Sequence, residues 1–179
     1  MKTKSTIPLV ADEESRPKYA RFPVVSLAAE HLVMGHLLRR NILTYKAPPG
    51  NEGYDLICIH PDPRRVKRQV RVQVKSRMAT DADQGFPMRA SSIDAFDFLV
   101  IVRLNVGYYM QMAKRHPARK GARVPEFYTV TPEFVKQHHD GRASWAKVYT
   151  IGLDMSPYKD DAGFERIAKR LGIDYPSKG

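Results

Sequence analysis

The sequence predicts an α/β domain, and three observations carry that prediction. Residues 24–40 repeat apolar side chains at a helical period. Val70, Val72 and Val74 alternate with polar neighbours at the period of a strand. Two short apolar runs, Leu56-Ile57-Cys58-Ile59 and Phe98-Leu99-Val100-Ile101-Val102, have the length of buried strands rather than of helices. At 179 residues the chain is long enough for one domain with a real core and at most an appended subdomain.

Residues 1–22 are polar and charged without sustained periodicity, and are expected to form a flexible arm. From Val24 to about Arg40, a rotation of about 100° per residue brings Leu27, Glu30, Met34, Leu37 and Leu38 onto one helical face. Glu30 falls inside that apolar face, where a carboxylate is costly unless something compensates it. It is either a glutamate reaching out at the edge of the core or a ligand. Asn41 to Tyr45 reads as a short strand, and Pro48-Pro49-Gly50-Asn51-Glu52-Gly53 as a turn. Tyr54 to His60 is a second strand, apolar on both faces and so central, with Asp55 at its entrance.

A basic turn from Pro61 to Arg68 carries Arg64, Arg65, Lys67 and Arg68. In the third strand, period two turns the valines to the core and leaves Arg71, Gln73, Lys75 and Arg77 in a row on the other face. Such a row suits contact with phosphates, and equally an ordinary solvated face. Residues 78–95 read as irregular, with a short helix over Ser91 to Ala95, before the buried strand within Phe96 to Leu104. The connection from Asn105 to Pro125 has a length typical of functional or disordered segments. It sets Tyr108 and Tyr109 near Lys114, Arg115, Arg119 and Lys120, a mixture able to stack on bases while gripping a backbone.

Phe127 to Val130 is a fifth strand. Thr131-Pro132-Glu133 opens a helix with a capping hydroxyl, a proline at the first position and an acid in the first turn, and that helix ends near His139. A strand over Ala146 to Ile151 and a helix around Phe164 to Leu171 complete the series. The chain thus divides into an arm (1–22), a core (23–140) and a C-terminal extension packed on that core (141–179).

Thirty Lys plus Arg against 19 Asp plus Glu leave a formal charge of +11. That excess favours polyanions, because neutralised phosphates release condensed counterions; it also suits a cationic surface that only maintains solubility. No apolar run approaches the length of a membrane span, and the first residues lack a signal-peptide h-region. The lone Cys58 cannot form an internal disulfide, which points to a reducing, cytoplasmic setting. Walker-type phosphate loops, dinucleotide-binding glycine fingerprints and Gly-x-Ser-x-Gly elbows are all missing. His31 and His36 are five apart and His138 and His139 adjacent, so neither pair shares a helix face as a zinc-binding i, i+4 pair would.

What remains is an oxygen-rich set. Asp55 and Glu30 offer hard carboxylates for Mg²⁺ or Mn²⁺, and Gln73 a neutral oxygen. Lys75, two residues along the same strand, faces the same way as Gln73, where its ammonium can orient a water or stabilise charge on a phosphate.

This order resembles the PD-(D/E)xK nuclease superfamily, with its restriction-endonuclease-like αβββαβ core, and within it the Holliday-junction-resolvase-like members. The likeness rests on Ala28-Ala29-Glu30, on Gly50-Asn51-Glu52-Gly53-Tyr54-Asp55-Leu56 and on Gln73-Val74-Lys75-Ser76. Phe96-Asp97-Phe98-Leu99-Val100 and Phe127-Tyr128 before a helix add to it, and the span is roughly residues 24–140. It implies a mixed central sheet flanked by helices and a metal-dependent endonuclease. Asp55 would be the main Mg²⁺ (or Mn²⁺) ligand and Glu30 a second, directly or through water. Gln73 and the Val74 carbonyl would complete the set, and Lys75 would be catalytic.

Metal-activated water would cut DNA, duplex or branched, leaving 5′-phosphate ends. Arg64, Arg65, Lys67, Arg68, Arg71, Arg77, Lys114, Arg115, Arg119 and Lys120 would hold the backbone. Gln73 stands where the family usually has an acid, which weakens the expected metal affinity, and Tyr54 stands where a proline is expected. A nuclease-fold DNA-binding module without catalysis is therefore the alternative reading. A basic domain that contacts a protein or ribosomal RNA is a third, and it requires Glu30 and Asp55 to lie far apart. RNA as substrate and a homodimer both stay open.

Overall fold

A computed structural model describes residues 23–77, 85–105, 123–141 and 146–175. The arm, with most of the connection after Asn105 and its Lys114, Arg115, Arg119 and Lys120, lies outside the described residues. Helix α1 (Pro23–Leu38) leads into strands β1 (Leu43–Lys46), β2 (Leu56–Ile59) and β3 (Gln69–Arg77). After β4 (Gly85–Pro87) and a 3₁₀ turn over Ala90–Ala95 come β5 (Phe98–Arg103), β6 (Glu126–Val130) and α2 (Pro132–His138). Strand β7 (Lys147–Tyr149) and helix α3 (Asp160–Leu171) follow.

Five strands form one sheet in the order β1-β2-β3-β5-β6. All neighbours run antiparallel except β3 and β5, which are parallel. This is the mixed α/β sheet flanked by helices that the sequence implies. The crossover between the parallel strands carries β4 and the 3₁₀ turn where the αβββαβ formula has a helix. Strands β4 and β7 pair in a separate antiparallel ribbon.

Alternation along β5 divides the core. Phe98, Val100 and Val102 pack with Val70, Val72 and Val74 against Ala29, Val33 and Leu37 of α1 and Phe164, Ile167 and Leu171 of α3. Leu99 and Ile101 turn to the other face, against Phe86, Ile93, Phe96, Val135 of α2 and Val148 of the ribbon. Residues beyond 141 therefore belong to both sides of the core.

The buried stripe of α1 differs from the expected one. Ala29, Val33 and Leu37 are fully buried, whereas Leu27 and Leu38 are 48% and 44% exposed. The helix is apolar on nearly every side, and the sheet takes the stripe that contains alanine, where the helix axis can approach closely. His36 packs against Phe127 and Phe164, and His139 Nε2 lies 2.9 Å from the Met88 carbonyl. No helix among the described residues is long and apolar enough to cross a membrane.

Candidate metal-dependent active site

The site forms where β2 and β3 part. Register pairs Leu56 with Val72, and one residue earlier the Asp55 N–H still donates to the Val72 carbonyl at 2.9 Å. The side chain of Asp55 then takes over from the ladder. Its Oδ2 accepts from the Val74 N–H at 2.7 Å and from Gln73 Nε2 at 2.5 Å. Among the described residues, both hydrogen bonds to this carboxylate fall on Oδ2, which leaves the Oδ1 lone pairs for another partner.

The turn before Asp55 is held in place. Gly53 adopts φ +109°, and a Cβ there would overlap that of Ala95 in the 3₁₀ turn, so glycine is required on both counts. Asn51 Nδ2 donates to the Tyr54 carbonyl at 2.7 Å, tightening the same loop.

Burial raises the Asp55 pKa above its ordinary value. The Val74 N–H and the charges of Lys75 and Lys46 act against that shift. A desolvated carboxylate with nearby cations and an unused oxygen is short of positive charge, which is the condition under which a divalent cation binds.

Gln73 is 8% exposed and shares its face of β3 with Lys75. Its Nε2 reaches both Asp55 Oδ2 and, at 3.3 Å, the Val74 carbonyl. The amide thus donates to two of the oxygens that the resemblance assigns to the metal. Lys75 and Gln73 line a cleft of about 440 Å³, closed by Gly53, Pro87, Met88 and Arg89.

Glu30 stands on the α1 side of the sheet. Its carboxylate is ion-paired with Lys46, the last residue of β1, and Lys46 also acts electrostatically on Asp55. Among the described residues, no three His, Cys, Asp or Glu side chains gather into a metal cluster. A cation here would instead rest on Asp55 Oδ1, the Val74 carbonyl and a Gln73 amide turned to offer its oxygen, with Glu30 released from Lys46. These hard oxygen donors fit Mg²⁺ or Mn²⁺.

Sequence reasoning missed Lys46 and Arg89. Lys46 lies one residue past the expected strand and faces Leu56 only in the folded sheet, and Arg89 sits in a stretch with no pattern. Of the residues assigned to the backbone grip, Arg71 is held by Asp97, through Nε at 3.2 Å and its own N–H at 2.8 Å. Arg77 donates to the Gly85 carbonyl and lies over the Phe86 ring. Arg64 is bound to Asp62, and Arg65 donates to the Gly172 carbonyl at 3.1 Å. Lys67 and Arg68 are exposed.

The fold is thus a mixed five-stranded α/β sheet flanked by helices, with an acid where β2 and β3 separate and a Gln-x-Lys on β3. Among solved structures, the chain is similar to the bacterial homing endonuclease I-Ssp6803I, at 15% identity and a TM-score of 0.48 over 83% of this chain and 92% of that one. It is also similar to Hjc, a Holliday junction resolvase from Archaeoglobus fulgidus, at 10% identity and a TM-score of 0.40 over 84% and 98%. No family model matches the sequence, and no curated protein matches it. Both likenesses are of overall shape.

Proposed function

We propose that the chain is an endonuclease that hydrolyses phosphodiester bonds in DNA with the help of Mg²⁺ or Mn²⁺. One observation carries this reading: Asp55, Gln73 and Lys75 converge on one face where β2 and β3 part, two of them on the wall of a cleft. A bound divalent cation would supply charge neutralisation at the phosphate and a more acidic water.

The chain's own residues would do the rest. Asp55, fixed by the Val74 N–H, would hold its free oxygen toward the cation together with the Val74 carbonyl. The Lys75 ammonium would meet the charge that builds on the phosphate. Lys46 would keep Glu30 beside the site. In-line attack on phosphorus would leave 5′-phosphate and 3′-hydroxyl ends.

The test is a cleavage assay on supercoiled plasmid and on a synthetic four-way junction, with Mg²⁺ or Mn²⁺ and an EDTA control. Asp55→Ala and Lys75→Ala should each remove at least about 10²-fold of activity. Wild-type rates in both variants would refute the assignment.

A second reading has its own support, since the Gln73 amide donates to Asp55 Oδ2 and to the Val74 carbonyl together. An amide fixed there would keep a cation out and leave a DNA-binding module. That reading predicts salt-dependent retention of DNA and no cutting with either metal.

A further inference from the structure

A second concave surface lies away from the cleft. It is a groove of about 770 Å³ between α3 and the turn that leads into β3, with Phe98 and Thr131 at its floor. Its cations come from two distant parts of the chain: Arg68 from the turn, and Arg166, Lys169 and Arg170 from α3. Glu165 is the one acid in its lining. Arg65 stands just outside, its guanidinium on the Gly172 carbonyl at the end of α3.

The cations outnumber the acid here by four to one. Arg68, Lys169 and Arg170 are exposed, and none of them meets a carboxylate within ion-pair distance among the described residues. Arg166 is positioned rather than neutralised, with a hydrogen bond to the Pro157 carbonyl at 3.2 Å and its guanidinium 4.8 Å above the Tyr158 ring. Lys169 and Arg170 in the last turn of α3 suit the helix dipole. That effect explains neither Arg68 nor the convergence of both segments on one groove.

Placement separates the groove from the cleft. Arg68 precedes β3 and Lys75 lies seven residues further, about 23 Å along a strand at ~3.3 Å per residue. Phe98 belongs to the sheet face covered by α1 and α3, whereas the cleft opens on the face of Gln73 and the β4–β7 ribbon. The cleft and the groove therefore open on opposite faces of the sheet.

We infer that the groove of Arg68, Arg166, Lys169 and Arg170 is a separate site for the phosphate backbone of duplex DNA, so that one chain holds two segments of DNA at once. Guanidinium and ammonium groups from two segments, projecting into one concavity, suit a row of phosphates. This rests on the reading of the chain as acting on DNA, and extends it from one bound segment to two.

The experiment uses the full chain with Asp55→Ala to prevent cutting, and compares it with the same chain carrying Arg68→Ala, Lys169→Ala and Arg170→Ala. These three side chains are exposed and unpaired, so folding should survive their loss, which circular dichroism checks. Binding of a 30-base-pair duplex is titrated to saturation over a salt series. Energy transfer between two differently labelled duplexes reports bridging.

The parent should bind two duplexes per chain and bridge them. The triple variant should bind one and bridge none, and its plot of log affinity against log salt should lose about 0.9 of slope for each phosphate contact removed. Unchanged stoichiometry and bridging in the variant, or no bridging by the parent, would overturn the second site while leaving the nuclease reading intact. Failure of both proteins to bind DNA at low salt would overturn both.

Discussion

Substituting Gln73→Glu tests the electrostatics of the site most directly, because it keeps the shape of the side chain and removes its two donors. In the parent, Gln73 Nε2 donates to Asp55 at 2.5 Å. A hydrogen bond to a charged acceptor is worth about 1.5–3 kcal/mol. The new carboxylate would lie at a position only 8% exposed, directly beside Asp55. Two such charges at about 4 Å repel by about 4 kcal/mol at an effective dielectric of 20. Sharing a proton between the two groups limits that repulsion.

The expected net cost without metal is therefore about 3–5 kcal/mol, which lowers the Tm of a domain this size by about 6–20 °C. A bound divalent cation would offset much of that cost, since the added carboxylate would then face an opposite charge. Mg²⁺ at 100 times its Kd would return about 2.7 kcal/mol, and the variant should reach that condition at lower Mg²⁺ than the parent. The assay is thermal unfolding followed by circular dichroism, in EDTA and across a Mg²⁺ series. A variant that melts within about 2 °C of the parent in EDTA, or that gains no more than the parent from Mg²⁺, refutes the reasoning.

Other substitutions separate fold from function. Asp55→Asn should melt higher than the parent at neutral pH while losing cleavage, because both hydrogen bonds fall on one oxygen that asparagine retains. Burial raises the Asp55 pKa above 3.8, so the stability this group contributes is present below its unfolded pKa and is lost as pH rises through its folded one. The gap between the two melting curves should accordingly open above about pH 4 and close below it; a constant gap from pH 3 to 8 would argue against burial as the cause. Arg71→Ala should cost about 1 kcal/mol in denaturant titrations through loss of the half-exposed pair with Asp97. It should leave the salt dependence of DNA binding unaltered. Gly53→Ala should cost about 2–4 kcal/mol in the same titrations, since the residue adopts a positive φ and has Ala95 against it.

Local chemistry made much of the fold legible. Thr131 caps α2 with its hydroxyl, accepting from the Phe134 N–H at 3.4 Å, and Pro132 occupies the first turn, as the tripeptide Thr-Pro-Glu predicts without reference to anything distant. β3 spans Gln69–Arg77 because strict alternation over nine residues has no helical reading. The ribbon was half legible. The Ala146 to Ile151 pattern marks its β7 strand, whereas Gly85-Phe86-Pro87 alternates with nothing. That segment becomes a strand only because Phe86 meets Val148, 62 residues later. The face of α1 failed for a different reason. Periodicity ranks large apolar residues, but a sheet selects the stripe that lets the helix come closest, and Ala29 is on that stripe.

The same contrast governs the site. The placement of Asp55 and the Gln73-Val74-Lys75 triplet could be read in advance because it follows from short covalent spacing: a residue at a strand entrance, and two residues on one side of a pleat. Pleat alternation does not say what else occupies that side. Arg71 and Arg77 share the face of Lys75, yet Asp97 and the ring of Phe86 take them up, and only tertiary structure brings those partners there. Lys46 is the converse case, a residue just past the expected strand that pairs with Glu30 and acts electrostatically on Asp55. A cation held as proposed would have to take Glu30 from that ammonium and turn the Gln73 amide. In the proposed site, metal affinity would therefore depend on two donors of this chain, the Lys46 ammonium and the Gln73 amide. The Gln73→Glu and Mg²⁺ series above tests the second of these.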